Sequence, residues 1–152
     1  MSSSVTFSYD KIGGKMKKRT KIVLSIVIFL IAVVFTGYKL YQYKMTAVLF
    51  SIDRIVLLEN NSESRNIEIK VDSQVEKVFK KAKYSGNLAI SKESYFKGKC
   101  YFNDGITGTI IVYRKSGDIR IIVGDAVRCF TFKDVYGEEW LKLIESKRVS
   151  YL

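Results

Sequence analysis

FKGKCYFNDGITGTIIVYRKSGDIRI, residues 96–121, is the stretch on which the fold of this chain turns. Its glycines at 98, 108 and 117 are each followed by apolar residues two and four positions later: Cys100 and Phe102, Ile110 and Val112, Ile119 and Ile121. Alternation with a period of two marks pleated strands that turn one face to a core. The intervening NDG (103–105) and KSGD (115–118) hold residues that tolerate the positive φ of tight hairpin turns. The segment therefore predicts an antiparallel β-meander. YSGNLAI, 84–90, repeats the spacing through Gly86, Leu88 and Ile90 and predicts another strand. A phosphate-cradling loop would need its glycines clustered ahead of a helix. Here they stand one to a strand, which assigns them to turns and bulges.

Outward from this centre, NIEIKV (66–71) and DAVRCFTF (125–132) read as further strands, and TAVLFSIDRIVLL (46–58) as one long strand or two short ones. SQVEKVFKKAKY, 73–84, supports two readings. Ser73 and Glu76 have capping-box spacing, with Val75, Val78 and Phe79 at helical intervals. Val75, Lys77 and Phe79 alternate more weakly, and the sheet on either side favours a strand. VYGEEWLKLIESKR, 135–148, predicts a closing helix with Trp140, Leu143 and Ile144 on one face. Glu138 and Glu139 stand in its first turn and Lys147 and Arg148 in its last, and Glu138 can pair with Lys142.

The N-terminal part is of another kind. IVLSIVIFLIAVVFTGY, 22–38, contains no charge, and its 17 residues reach the lower end of what spans a bilayer, roughly 17–25. Lys39 and Leu40 extend it, since a lysine buries its stem while its ammonium reaches the headgroups. Tyr38, Tyr41 and Tyr43 suit the interfacial belt. The expectation is a transmembrane helix over 22–41. A cleaved secretory signal is the competing reading, but bulky residues follow Thr36-Gly37 where a small-x-small site would be needed.

Charge sets the orientation. Lys11, Lys15, Lys17, Lys18, Arg19 and Lys21 precede the run, and only Lys39 and Lys44 follow closely. An excess of Lys and Arg marks the cytoplasmic side, so residues 1–21 read as a basic cytoplasmic tail and 45–152 as an extracytoplasmic domain. Of the net charge of +11, residues 45–152 supply only +4. A nucleic-acid binder would concentrate its charge on the folded domain, so nucleic acid is excluded as a partner.

The basic tail also contains KIGGKMKKRT, 11–20. Ile-Gly-Gly-Lys-Met can be encoded AUA GGA GGA AAA AUG, a purine-rich ribosome-binding sequence ahead of a start codon. MKKRTKIVLSIVIFL is how a bacterial membrane or exported protein commonly opens, whereas residues 1–15 are small, polar and without periodicity. Met16 is the expected start.

Few groups carry chemistry. Histidine is absent, which removes Ser-His and Cys-His pairs, the usual general base near neutral pH and histidine-based zinc sites. Cys100 and Cys129 cannot make a structural zinc site alone. As a candidate disulfide they would close a loop of ~30 residues worth roughly 3–4 kcal/mol. Strand parity argues against the bond: Cys100 is in phase with Phe102, Cys129 out of phase with Phe130 and Phe132. Glu138-Glu139 and Asp118 with Asp125 read as solvated or capping acids. No calcium loop is present, and Asn60-Asn61-Ser62 is a glycosylation sequon with no use in a bacterium.

The sequence thus predicts a bacterial single-pass membrane protein: one transmembrane helix plus a small, mainly-β (α+β) domain, an antiparallel meander closed by a C-terminal helix. The domain reads as a binding or accessory module, a subunit or an immunity-type protein, with the lipid bilayer and a surface protein as partners. It is not an enzyme on this reading, and no catalytic residue, cofactor or metal is implied. The alternatives are a tethered enzyme of histidine-free chemistry and a secreted domain. Mass spectrometry of the native protein should find an N-terminal peptide beginning at Met16, and abundant peptides from residues 2–11 would refute that start.

Overall fold

The computed structural model describes residues 17–59, 62–86 and 93–149. The expected start at Met16, the strand positions Leu88 and Ile90, and Asn60-Asn61 of the sequon lie outside the described residues. Its contacts divide the chain between Lys39 and Leu40.

Helix α1 runs from Lys18 to Phe50, 33 residues, or about 50 Å at 1.5 Å per residue. Residues 46–50, expected to begin a strand, continue this helix, and strand β1 starts only at Ile52. Extending an existing helix adds a hydrogen bond for each residue fixed, without a new nucleus. Thr46, β-branched and a poor helix former, returns its hydroxyl to the Gln42 carbonyl (2.9 Å). Leu49 is fully buried in the core of the folded unit. At the helix end the Ser51 hydroxyl and amide both donate to the Val48 carbonyl, an acceptor the last turn leaves free.

The folded unit is a seven-stranded antiparallel sheet in the order β2-β1-β4-β5-β6-β7-β3. Strands β4 (Tyr95–Phe102), β5 (Thr107–Tyr113), β6 (Ile119–Val123) and β7 (Ala126–Thr131) are the predicted meander. Gly105 (φ 85°) and Gly117 (φ 76°) occupy its turns in the left-handed region. The hairpin of β1 (Ile52–Glu59) and β2 (Ser62–Lys70) adds to β4, while β3 (Lys83–Gly86) pairs with β7 at the opposite edge. Gly86 is the last described residue of β3.

Between β2 and β3, residues Ser73–Phe79 form helix α2, so the strand favoured for 73–84 is corrected. Two causes decide for the helix. Asp72, not Ser73, is the N-cap, its carboxylate accepting the amides of Gln74 (2.9 Å) and Val75 (3.0 Å). The bond from the Val75 amide, foremost among the causes, holds the Asp72 carboxyl below its usual range. A helix also turns Val75, Val78 and Phe79 together into the core, where a strand would have buried Lys77.

Helix α3, Asp134–Val149, closes the domain one residue earlier than expected, so Asp134 and not Glu138 lies in its first turn. Its ion pair joins Glu145 to Arg148 at 2.9 Å. Trp140 and Ile144 are fully buried, and Trp140 meets the Phe79 ring edge-on at 5.4 Å. Helices α2 and α3 thus cover one sheet face. Cross-strand rows fill the space beneath them, including Ile67–Leu57–Gly98–Ile110–Ile121 and Phe96–Val112–Ile119–Phe130. The other face carries Arg54, Lys97, Lys99 and Tyr101, with the Arg54 guanidinium 4.4 Å from the Tyr101 ring centre and 3.2 Å from Glu68.

Two glycines work by letting backbones touch. A Cβ on Gly98 would stand 2.0 Å from the Val56 carbonyl oxygen, and one on Gly137 2.0 Å from that of Ser116. Gly137 thereby seats the start of α3 on the β5–β6 turn, beside Gly117. Because backbone cannot yield as a side chain does, Gly98→Ala should cost more than about 3 kcal/mol. Gly124→Ala, strained by its φ of 56° but facing open space, should cost only about 1–2 kcal/mol. Denaturant unfolding of the full chain in detergent micelles, followed by the fluorescence of Trp140, measures both. Equal losses would refute the close-approach account.

Candidate functional site

Two features of the structure bear on function. The first is the apolar part of α1. Between Ile22 and Leu40 its large side chains lie open, Val34 being 71% exposed. Among the described residues this is the one helix long and apolar enough to cross a membrane. The hydroxyl of Thr36 donates to the Ala32 carbonyl (2.8 Å), which satisfies it without water. Lys39 lays its ammonium 4.8 Å from the Phe35 ring.

Within the folded unit, the last turns of α1 are fastened to the sheet. Gln42 Nε2 donates to the Tyr84 carbonyl, and the Tyr84 amide donates to Gln42 Oε1, both at 3.0 Å. One side-chain amide thus does for edge strand β3 what a neighbouring strand would do. The Tyr84 ring stands edge-on between Tyr41 (5.8 Å) and Phe130 (5.9 Å). Burial, foremost, and the hydrogen bond with Tyr41 raise the Tyr84 hydroxyl above the usual tyrosine range.

The second feature is a cavity of about 210 Å³. Val48 and Ser51 bound it at the end of α1, Phe102, Asp104 and Ile106 at the β4–β5 turn, and Ile121, Val123, Ala126 and Arg128 on β6 and β7. Register places Arg128 on the core face: it pairs with Ile121, continuing the row from Ile110, and is in phase with buried Phe130. The rest of the wall is mostly apolar. Arg128 is half-buried, and its guanidinium makes no hydrogen bond or ion pair with any described residue. Asp104 is exposed and accepts the Ile106 amide through Oδ1 (3.1 Å).

Comparison with protein-family models, curated proteins and solved structures finds no match. The site must be read from its own chemistry.

The residues singled out from sequence do not converge on this cavity. Cys100 and Cys129 are free, buried thiols on strands that β5 and β6 separate. Three strand spacings of ~4.8 Å put them about 14 Å apart across the sheet. Asp118 accepts the Phe132 amide at 3.1 Å and so anchors the approach to α3, while Asp125 lies beyond the far end of β6. Glu138 and Glu139 are exposed on α3. No cluster of metal-ligating side chains occurs among the described residues.

Arg128 and Gln42 went unremarked in the sequence. Arg128 had a signal, since alternation back from Phe130 puts it inward. Gln42 had none, for nothing local says which edge a polar residue after an apolar run will meet.

Burial pushes the Cys100 thiol up to about 11. It is protonated throughout the neutral range, and only its thiolate is nucleophilic. Maleimide treatment of the folded full chain at pH 7.5 should leave Cys100 unmodified, with modification appearing on unfolding in denaturant. Peptide mapping reads the outcome, and rapid native labelling of Cys100 would contradict its burial.

Proposed function

We propose that this chain is a single-pass membrane protein of bacterial type whose extracytoplasmic β-rich domain works by binding, as a module held beside a partner protein at the membrane surface. The observation that carries the reading is the open apolar surface of α1 from Ile22 to Leu40, which would be costly in water and favourable in lipid. All backbone groups of such a helix are satisfied internally, as a bilayer demands. Lys17, Lys18, Arg19 and Lys21 stand ahead of the run, which supports a cytoplasmic N-terminus.

Secretion after signal cleavage is the second reading. Against it stands the missing small-x-small site after Thr36-Gly37. Binding is preferred to catalysis on the chemistry of the groups present. The chain has no histidine, the Cys100 thiol is kept protonated, and Asp118 is engaged in holding backbone. Tethering would raise the local concentration of the domain and its partner without any new contact.

A reporter active only outside the cytoplasm, fused after Leu152, should be active in cells, and one active only inside should be silent. The converse result would overturn the orientation. Quantitative release of residues 45–152 into the medium would establish the secreted form instead.

A further inference from the structure

The cavity at the end of α1 has the composition of a ligand site. Its walls are mostly apolar, and its volume, about 210 Å³, exceeds the roughly 150 Å³ at which an apolar cavity takes up benzene. Two opposite charges border it. Arg128 arrives from the core side of β7, at the end of a row that is otherwise aliphatic, and has no partner among the described residues. Asp104 arrives from the β4–β5 turn with one oxygen spent on the Ile106 amide. The two do not bond to each other. A cation left unpaired on the apolar side of a sheet costs folding free energy, which a bound anion would recover. A guanidinium also presents a planar fork suited to a carboxylate.

We propose that this cavity binds a small apolar α-amino acid, with the ligand's carboxylate on Arg128, its ammonium beside Asp104 and its side chain against Phe102, Ile106, Ile121 and Val123. Each part of the ligand answers a part of the wall. A simple fatty acid would leave Asp104 facing a second negative charge, and an amine would leave Arg128 unpaired. An amino acid without a side chain would leave the cavity unfilled. The inference deepens the binding reading by naming a ligand class. It is independent of membrane orientation, so the reporter fusions and the experiment below fail separately.

The test uses the full chain in lipid nanodiscs with ¹³C-labelled isoleucine methyl groups. Ile106 and Ile121 line the cavity and report binding, while Ile144, fully buried on the inner face of α3, reports the fold. L-Leucine should shift the Ile106 and Ile121 methyls saturably at millimolar concentration or below and leave Ile144 in place. Glycine, 4-methylpentanoate and 3-methylbutylamine should each bind at least tenfold more weakly. Arg128→Gln should weaken leucine binding at least tenfold with the Ile144 signal unchanged. Asp104→Asn, which keeps the oxygen that accepts the Ile106 amide, should narrow the preference for leucine over 4-methylpentanoate. No saturable shift with leucine up to 10-fold above the millimolar range, equal binding of 4-methylpentanoate and leucine, or undiminished binding by the Arg128→Gln protein would each overturn the proposal.

Discussion

Everything in the folded unit follows from a sheet that packs one face against α2 and α3. With side chains alternating along every strand, a single register decides which half of the residues meets α2 and α3 and which half meets water. The rows that result place Ile67, Leu57, Ile110 and Ile121 in one line beneath the helices, and Gly98 in the same line. Gly98 is where the constraint is tightest. Strand β1 approaches β4 there so closely that a methyl group has no room, and a slip of one residue would bring Lys97 or Lys99 to that point. The same alternation brings Arg128 inward. In this sheet the rule that makes the core also turns a cation toward it.

How much of this was legible depended on whether the deciding partner was near in sequence. The meander was, because Gly105 and Gly117 stand in turns between strands whose alternation is local. The closing helix was, because Trp140 and Ile144 repeat at helical spacing. Residues 46–50 were misread since Thr46, Val48 and Phe50 have strand character, while their helix is inherited from the apolar run before them. Residues 73–79 were misread since the cap lay one position earlier, at Asp72, and the sheet around them argued for a strand. The cavity was not legible at all. Its wall joins residue 48 to residue 128, and no local pattern announces that meeting.

The glycines show how one spacing can conceal several causes. Gly98, Gly108 and Gly117 look alike in sequence, each two residues ahead of an inward apolar side chain. Gly117 is needed for its positive φ and for contact with Gly137, Gly98 for the approach of β1, and Gly108 for the space taken by the Cys100 sulfur and Val123. Turn propensity accounts for the first. The other two are demands of packing between strands and would persist whatever turns joined them.

The placement of β3 has a consequence for the order in which the molecule is completed. Lys83 and Tyr84 pair with Thr131 and Phe130, almost fifty residues later, while β4 to β7 pair with their immediate neighbours. A ribosome delivers the early strand long before the late one. Until residue 131 has emerged, β3 has only the amide of Gln42 to occupy its backbone. The local hairpins can form as they appear, but the edge strand must wait for distant residues to close one of the two long loops in the sheet, the other joining β1 to β4. Synthesis interrupted before β7 would leave a chain with most of its sheet and an open seam, the form in which a nascent protein is most exposed to proteases and to its own neighbours.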